Sequence, residues 1–417
     1  MEYPKVEFFT KHAKLEAGRD QTVDVLIRIT PPALSTARPN WKGRPDLNLS
    51  LVLDRSGSME GEKMIRAREA AMFCVDQMLA TDRLSVVTFD DRIEVLFPSE
   101  LVTNKQAMKA LISRVSARSS TALHEAWVRG GLTVSEHILD QGINRVVLIT
   151  DGLANVGVTN TDEIVTQALG LFQRGVSTST IGIGADFNED LLMPMAQSGG
   201  GNAWHVVEPD DMQQIFQIEL EGLIAQFAHT VSLSLIPADG VRVVDVLNDF
   251  EFTETGRYRL PNLQAGSPLD IVVKLRAGAQ DVGTQMRLLD LRLGFTPQDA
   301  KNAEVLKQAH IIEFATQTEV ERSPINDDVM KTVQFLMNAR ARNEAMKRMD
   351  RGDYAGAQDV IGSALGETQA LPCSAAPEVM EETAALAEMR SSLVDRLKDK
   401  MSRKKLAYAA YSRRTGK

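Results

Sequence analysis

Between Leu47 and Phe227 the chain alternates short apolar runs with longer segments of helical periodicity, and this alternation constrains the fold more than any other feature. Leu47–Leu53, Leu84–Phe89, Val146–Thr150 and Thr178–Ile183 have the length and composition of strands. Among the intervening segments, Glu62–Leu79 places Met64, Ile65, Ala67, Ala71, Phe73, Val75 and Met78 at roughly helical spacing. Ala122–Leu139, Asp162–Arg174 and Asp210–Phe227 read as further helices, the last opened by Pro209-Asp210-Asp211. Ile93–Phe97 is one more strand, joined to Leu84–Phe89 through the turn residues Asp90-Asp91. Parallel strands need a crossover long enough to hold a helix. The order therefore predicts a mainly parallel sheet with helices on both faces.

The flanks read differently. In Thr22–Ile29, the residues Val23, Val25, Ile27 and Ile29 fall on one face of a period-two strand. Pro31-Pro32 closes it, and the Pro- and Arg-containing stretch to Pro45 reads as a linker. From Thr230, alternation returns at Val231, Leu233 and Leu235, then at Val241 and Val243. Leu269–Leu275 and Met286–Phe295 are further strands. A parallel sheet already covered by helices leaves no face for the N-terminal strands. The expectation is an α/β domain inserted into an antiparallel β-sandwich built by both flanks.

From about Asp327 the pattern is helical, with Met330, Val333, Leu336 and Met337 on one face. Arg351-Gly352-Asp353-Tyr354 is a turn before the helix Ala355–Leu365, similar to one tetratricopeptide-like hairpin without a repeat. A Gly-Asp turn accounts for the Arg-Gly-Asp tripeptide without an integrin role. Gly366–Glu378 reads as a linker and Val379–Leu406 as a final charged helix. The expected domains are 1–44, 45–228, 229–322 and 323–417.

Length and charge narrow the function. A chain of 417 residues is long for one core. No apolar run approaches the roughly 18 residues of a membrane span. Met1-Glu2-Tyr3-Pro4-Lys5 shows no basic region leading into an apolar core, so no secretory leader is expected. Cys74 and Cys373 lack metal-type spacing, and a reduced, cytoplasmic setting is expected. The net charge of −9 argues against general nucleic-acid binding. The exception is the basic C-terminal tail, with Arg396, Lys398, Lys400, Arg403, Lys404, Lys405, Arg413, Arg414 and Lys417 around Tyr408 and Tyr411. It reads as the solvated face and frayed tail of a terminal helix; the alternative is an arm for an acidic partner, nucleic acid or anionic lipid.

Chemistry concentrates after Leu53. Asp54-Arg55-Ser56-Gly57-Ser58 offers a carboxylate and two hydroxyls at alternate positions, able to aim three oxygens at one point. Thr121, in Ser119-Ser120-Thr121, lies in a loop, and Asp151 directly follows the strand Val146–Thr150. Such loops and strand ends are where open α/β sheets bind ligands. Oxygen donors without nitrogen or sulfur suit Mg²⁺, Mn²⁺ or Ca²⁺ and disfavour Zn²⁺.

The set resembles the metal-ion-dependent adhesion site of the von Willebrand factor type A family, whose pattern is Asp-x-Ser-x-Ser, a distant Thr and a distant Asp-Gly. It stands complete here as Asp54, Ser56, Ser58, Thr121 and Asp151-Gly152. Phrases such as Gly182-Ile183-Gly184-Ala185-Asp186 and Gly240-Val241-Arg242-Val243 extend the likeness to bacterial members related to inter-alpha-trypsin inhibitor heavy chains. The resemblance implies a doubly wound, Rossmann-like sheet. It also implies a divalent ion, Mg²⁺ with Mn²⁺ or Ca²⁺ as alternatives, with the hydroxyls as direct ligands and the two Asp acting directly or through water. A partner protein would complete the shell with Asp or Glu, and Thr121 would exchange with an Asp as direct ligand while the helix Asp210–Phe227 moves.

Other chemistries fit less well. Gly182-x-Gly184 lacks the third glycine of a dinucleotide signature, and His124-Glu125 has no His three residues on. Gly199-Gly200-Gly201-Asn202 reads as a flexible loop before a strand, without the lysine and helix start of a phosphate cradle. Metal-assisted hydrolysis needs a general base, and no His, Lys or spare carboxylate in the motif loops is placed to serve. The expected function is a non-enzymatic, divalent-metal-dependent protein-binding module. An adaptor for a MoxR-type AAA+ ATPase is the alternative, and a metal-dependent hydrolase the competing class.

Overall fold

A computed structural model of the chain describes residues 3–33, 44–118, 120–152, 156–298, 300, 302–393 and 399–416. Most of the expected linker before Pro45 lies outside the described residues, as do Ser119, Arg396, Lys398, Lys417 and the side chain of Lys400. The chain divides into two compact units: Met1–Pro39 with Phe227–Thr296 and Asn302–Lys417, and Asn40–Gln226 with Pro297–Lys301. Among the described residues, no helix is long and apolar enough to cross a membrane.

Among the described residues, three strands come first: β1 (Lys5–Thr10), β2 (Lys14–Glu16) and β3 (Gln21–Thr30). The α/β unit follows as β4 (Leu47–Asp54), α1 (Glu62–Gln77), β5 (Arg83–Phe89), β6 (Ile93–Leu101), α2 (Lys105–Ile112) and α3 (Leu123–Ser135). It continues through β7 (Ile143–Thr150), α4 (Thr161–Gln173), β8 (Ser177–Ile183), α5 (Glu189–Ser198), β9 (Gly200–Val206) and α6 (Met212–Ile224). Its sheet runs β6-β5-β4-β7-β8-β9 and is parallel except for the β5–β6 hairpin. Strands β4 and β7 are buried at every position, so apolar residues fall on both faces, interrupted by the buried polar Asn48, Ser50, Asn144 and Arg145. Pleating then sorts their side chains. Leu49, Leu51 and Leu53 pack with Met64, Ala71, Phe216 and Leu220. Val52, Val146 and Leu148 pack on the opposite side with Trp127, Ile164 and Leu192. Burying each such side chain contributes about 1.5–3 kcal/mol before chain entropy is counted.

Three elements depart from expectation here. Helices α2 and α5 were not anticipated, and Gly200-Gly201-Asn202 is strand rather than loop. The reason lies in the β8–β9 ladder, which shifts register between Thr178 and Thr180 so that β9 carries an extra residue. A Cβ at Gly201 would fall 2.0 Å from the backbone oxygen of Thr178. Only glycine allows this approach. Gly201→Ala is therefore expected to destabilise the unit by about 1–3 kcal/mol, read as a lower urea midpoint with unchanged m-value.

The second unit begins with β1–β3 and resumes with β10 (Gln226–Pro237), β11 (Val241–Val246), β12 (Tyr258–Arg259), β13 (Leu263–Gln264), β14 (Leu269–Ala277), β15 (Gln285–Pro297) and β16 (Glu304–Ala315). One sheet has the order β1-β3-β14-β11 and is antiparallel throughout. The other has the order β12-β10-β15-β16-β2, with β13 beside β10 and β2 added in parallel to β16. Val25, Ile27, Ile29 and Ile271 from the first sheet share a core with Leu289, Leu291, Leu293 and Phe314 from the second.

Among the described residues, five helices follow in this unit: α7 (Gln317–Arg322), α8 (Asp327–Asp350), α9 (Tyr354–Gln369), α10 (Pro377–Ser392) and α11 (Asp399–Thr415). Leu26 and Val272, on the outer face of the first sheet, pack with Val329 and Leu336 of α8. Gly352 (φ +76°) makes the α8–α9 turn, and Asp353 caps α9 by accepting from the Gly356 N–H. The Arg-Gly-Asp tripeptide is thus committed to helix termination. The frayed-tail expectation is corrected: α11 buries Leu406, Ala410 and Tyr411. Arg403 pairs with Asp350, and Arg413 pairs with Glu382 and covers the Phe335 ring. Side chains that looked like a free basic arm are held by acidic and aromatic groups of other helices.

Candidate metal centre

The site forms where β4 and β7, neighbours in the sheet, both end. The chain leaves β4 for β5 on one side and returns to β7 on the other, so their carboxyl ends meet at the topological switch point. There Asp54 Oδ1 accepts from the Ser56 N–H at 2.8 Å, and Oδ2 accepts from the Thr150 hydroxyl at 2.5 Å. Ser56 and Ser58 hydroxyls lie 3.1 Å apart, and Ser58 Oγ donates to Asp151 Oδ1 at 2.7 Å. The short 3₁₀ turn Gly57–Met59, anchored by the buried Met59, carries both serines past the strand end. A Cβ at Gly152 would lie 3.4 Å from Thr121 Oγ1 and 3.7 Å from Asp54 Oδ2, ordinary contact distances that place this glycine against both groups.

Thr121 is positioned by backbone. Arg118 N–H donates to the Arg55 carbonyl at 2.7 Å, and Ala122 N–H donates to the Asp90 carbonyl at 2.8 Å. Both ends of the threonine loop are therefore tied to the ends of β4 and β5. The anchors are themselves held, since Arg55 Nε donates to Asp90 and its Nη1 to Glu94. Asp90 and Asp91 lie in the β5–β6 turn, and His124 Nε2 meets Gln167. All five sequence-predicted residues are brought into one locality. Asp54 and Asp151 are fully buried, Ser56 and Thr121 nearly so, and Ser58 lies at the exposed edge.

Burial pushes the Asp54 carboxyl up to about 6, against the hydrogen bonds from Thr150 and Ser56 and with a further upward push from Asp151. Sequence reasoning missed two participants. Thr150 holds Asp54 by its hydroxyl, and Lys63 Nζ donates to Asp151 Oδ2 at 2.5 Å. Lys63 stands at the second position of α1, outside the motif loops in which no general base is expected, and the direction of that helix returns it to the site. Among the described residues, no group of three or more His, Cys, Asp or Glu is arranged to hold a metal, so the donor set on offer is this hydroxyl-rich one.

With this geometry in place, residues 48–219 match the model of the von Willebrand factor type A domain. The α/β unit contains a von Willebrand factor type A domain. Domains of this type are generally metal-dependent protein-interaction modules. The chain is 30% identical over 178 residues to an uncharacterised protein of Synechocystis sp., covering 42% of each. It is 25% identical to inter-alpha-trypsin inhibitor heavy chain H3 of Rattus norvegicus, over 44% of this chain and 21% of that one. The chain thus spans less than half the length of these curated relatives. A solved von Willebrand factor type A protein from Catenulispora acidiphila superposes with a TM-score of 0.68, covering 92% of this chain and 89% of that one at 16% identity. The likeness in fold therefore extends beyond the matched domain to the sandwich and helices, as the order of elements implied.

Proposed function

We propose that Asp54, Ser56, Ser58, Thr121 and Asp151 hold a divalent cation, Mg²⁺ by preference and Mn²⁺ or Ca²⁺ in its place. The ion captures an Asp or Glu side chain of a partner protein. One observation carries this reading: five oxygen-bearing side chains, from three distant segments, converge at the switch point of the sheet. The donors fit the ion. They are oxygens only, and hydroxyls outnumber carboxylates, so few of the ligands offered to the cation carry charge. The raised Asp54 carboxyl points the same way, because a cation is the group that offsets the cost of burying that charge. The ion supplies charge and orientation, and the surrounding surface decides which partner is accepted.

The role is binding rather than catalysis, in a reducing, cytoplasmic setting that suits the two unpaired thiols. Service as an adaptor for a MoxR-type AAA+ ATPase is one form this binding can take. Calorimetric titration with MnCl₂ tests the site. Asp54→Ala and Ser56→Ala are expected to abolish the binding isotherm while leaving the far-ultraviolet circular dichroism unchanged. Capture of a partner that proceeds equally in Mg²⁺ and in EDTA would remove the metal from the account.

A further inference from the structure

Asp151 has two oxygens and both are engaged: Oδ1 by the Ser58 hydroxyl and Oδ2 by the Lys63 ammonium. The ammonium also donates to the Ser58 carbonyl at 3.4 Å. Opposite lies Gly184, in the left-handed region (φ +71°), where a Cβ would stand 3.7 Å from Lys63 Cε and 3.8 Å from Nζ. Lys63 is thus seated in a niche made by the ends of β7 and β8 and the serine turn. Its side chain is 26% exposed, whereas that of Asp151 is fully buried. No other cationic side chain is hydrogen-bonded to either carboxylate of the cluster among the described residues.

We propose that Lys63 is a tethered counter-cation of the metal site, which sets how strongly the site holds a bare divalent ion. This rests on the reading of the site as a metal centre. In the metal-free protein the ammonium balances the buried Asp151 charge, so the apo fold does not carry two uncompensated carboxylates at one strand end. An arriving ion must compete with that ammonium for Asp151 and bind beside its positive charge, and both effects weaken binding. The weakening has a use. With Lys63 in place the loaded site is net positive, so an acidic group from a partner is drawn to it. Without Lys63 the ion and the two aspartates would neutralise one another. Lys63 therefore shifts the site from holding a cation alone towards holding a cation together with a carboxylate.

The test is Mn²⁺ binding by the full chain, followed by calorimetry, together with thermal melts in EDTA and in MgCl₂. Lys63→Gln keeps a donor for Asp151 and removes the charge; Lys63→Arg keeps the charge. Lys63→Gln is expected to bind Mn²⁺ roughly tenfold more tightly than wild type, to melt lower in EDTA, and to gain more from Mg²⁺. Lys63→Arg is expected to stay within about threefold of wild type, and it carries the test of charge should the glutamine variant fold poorly. Unchanged or weaker Mn²⁺ binding by Lys63→Gln, or tightening by Lys63→Arg equal to that of the glutamine variant, overturns the assignment. If wild type binds no Mn²⁺ at all, the metal reading itself falls and Lys63 is only an ion-pair partner. That outcome is distinct from a bound ion indifferent to Lys63.

Discussion

Replacing Glu219 by alanine is expected to cost about 3–5 kcal/mol of unfolding free energy. Glu219 sits on α6 and its side chain is only 2% exposed, as is that of Arg145 on β7. Its Oε1 accepts from Arg145 Nη1 at 2.8 Å and from Ser179 Oγ at 2.5 Å. Its Oε2 accepts from Asn202 Nδ2 at 2.6 Å and from Trp204 Nε1 at 2.8 Å. One carboxylate thus ties α6 to β7, β8 and β9. Burial alone would push this carboxyl up, yet the Arg145 charge and the three other donors hold it below the ordinary carboxylate value. A depressed folded-state value means the stabilisation is present above the unfolded value and disappears as pH falls through the folded one. Alanine leaves the Arg145 guanidinium buried without its counter-ion, and that charge is the larger part of the cost. Urea unfolding near neutral pH checks this, and a loss below about 1 kcal/mol would show that the network is dispensable.

The same network bears on movement. The family resemblance implies that the helix at the end of the domain shifts with metal ligation, and α6 is that helix. Here its displacement would have to break four hydrogen bonds, three of them buried, or carry Arg145 and three strands with it. Two discrete states remain compatible with the fold only if both keep Glu219 paired. Hydrogen exchange in α6 with and without Mg²⁺ reads this directly, and equal protection is the result that the Glu219 network favours.

What could be read from the chain, and what could not, follows from the same physics. Strands β4 and β7 were legible because helices cover both their faces, which favours apolar residues at successive positions, as in Leu51-Val52-Leu53 and Val146-Val147-Leu148-Ile149. Asp54, Ser56, Ser58, Thr121 and Asp151 could be read as a set because Asp54 closes a strand and the others lie just past a strand end or in the loop before a helix. Strand β16 was not legible: it exposes Val305 and Ile311 and buries His310, so its polarity does not report its face. Strand β9 was hidden by its glycines, which serve a close backbone approach rather than a flexible loop. Lys63 was hidden because its partner lies 88 residues away and its reach depends on how α1 leaves the serine turn. The basic tail misled for a related reason: Asp350 and Glu382, which hold Arg403 and Arg413, belong to other helices and share no local pattern with them.

Asp54→Asn is expected to separate the cost of the site from its use. The folded protein holds this carboxyl up at about 6 against an ordinary value of 3.8, chiefly through burial. A raised folded-state value means the ionised form is disfavoured by folding. The penalty is full above the folded value, shrinks as pH falls between the two, and is gone below the unfolded one. In metal-free protein this group therefore makes stability rise as pH falls from about 7 towards 4. Asparagine has the same shape and can accept from the Ser56 N–H with its oxygen while its amide meets a reoriented Thr150 hydroxyl. In EDTA at about pH 8 the variant should exceed wild type by about 1–3 kcal/mol, an advantage that vanishes near pH 4. Mg²⁺ should reverse the order, because it offsets the Asp54 charge in wild type and finds no carboxylate in the variant. Thermal melts across that pH range, with and without Mg²⁺, decide the matter. A variant no more stable than wild type in EDTA would mean that Asp54 bears no burial penalty, and an equal response of both proteins to Mg²⁺ would mean that the ion binds elsewhere.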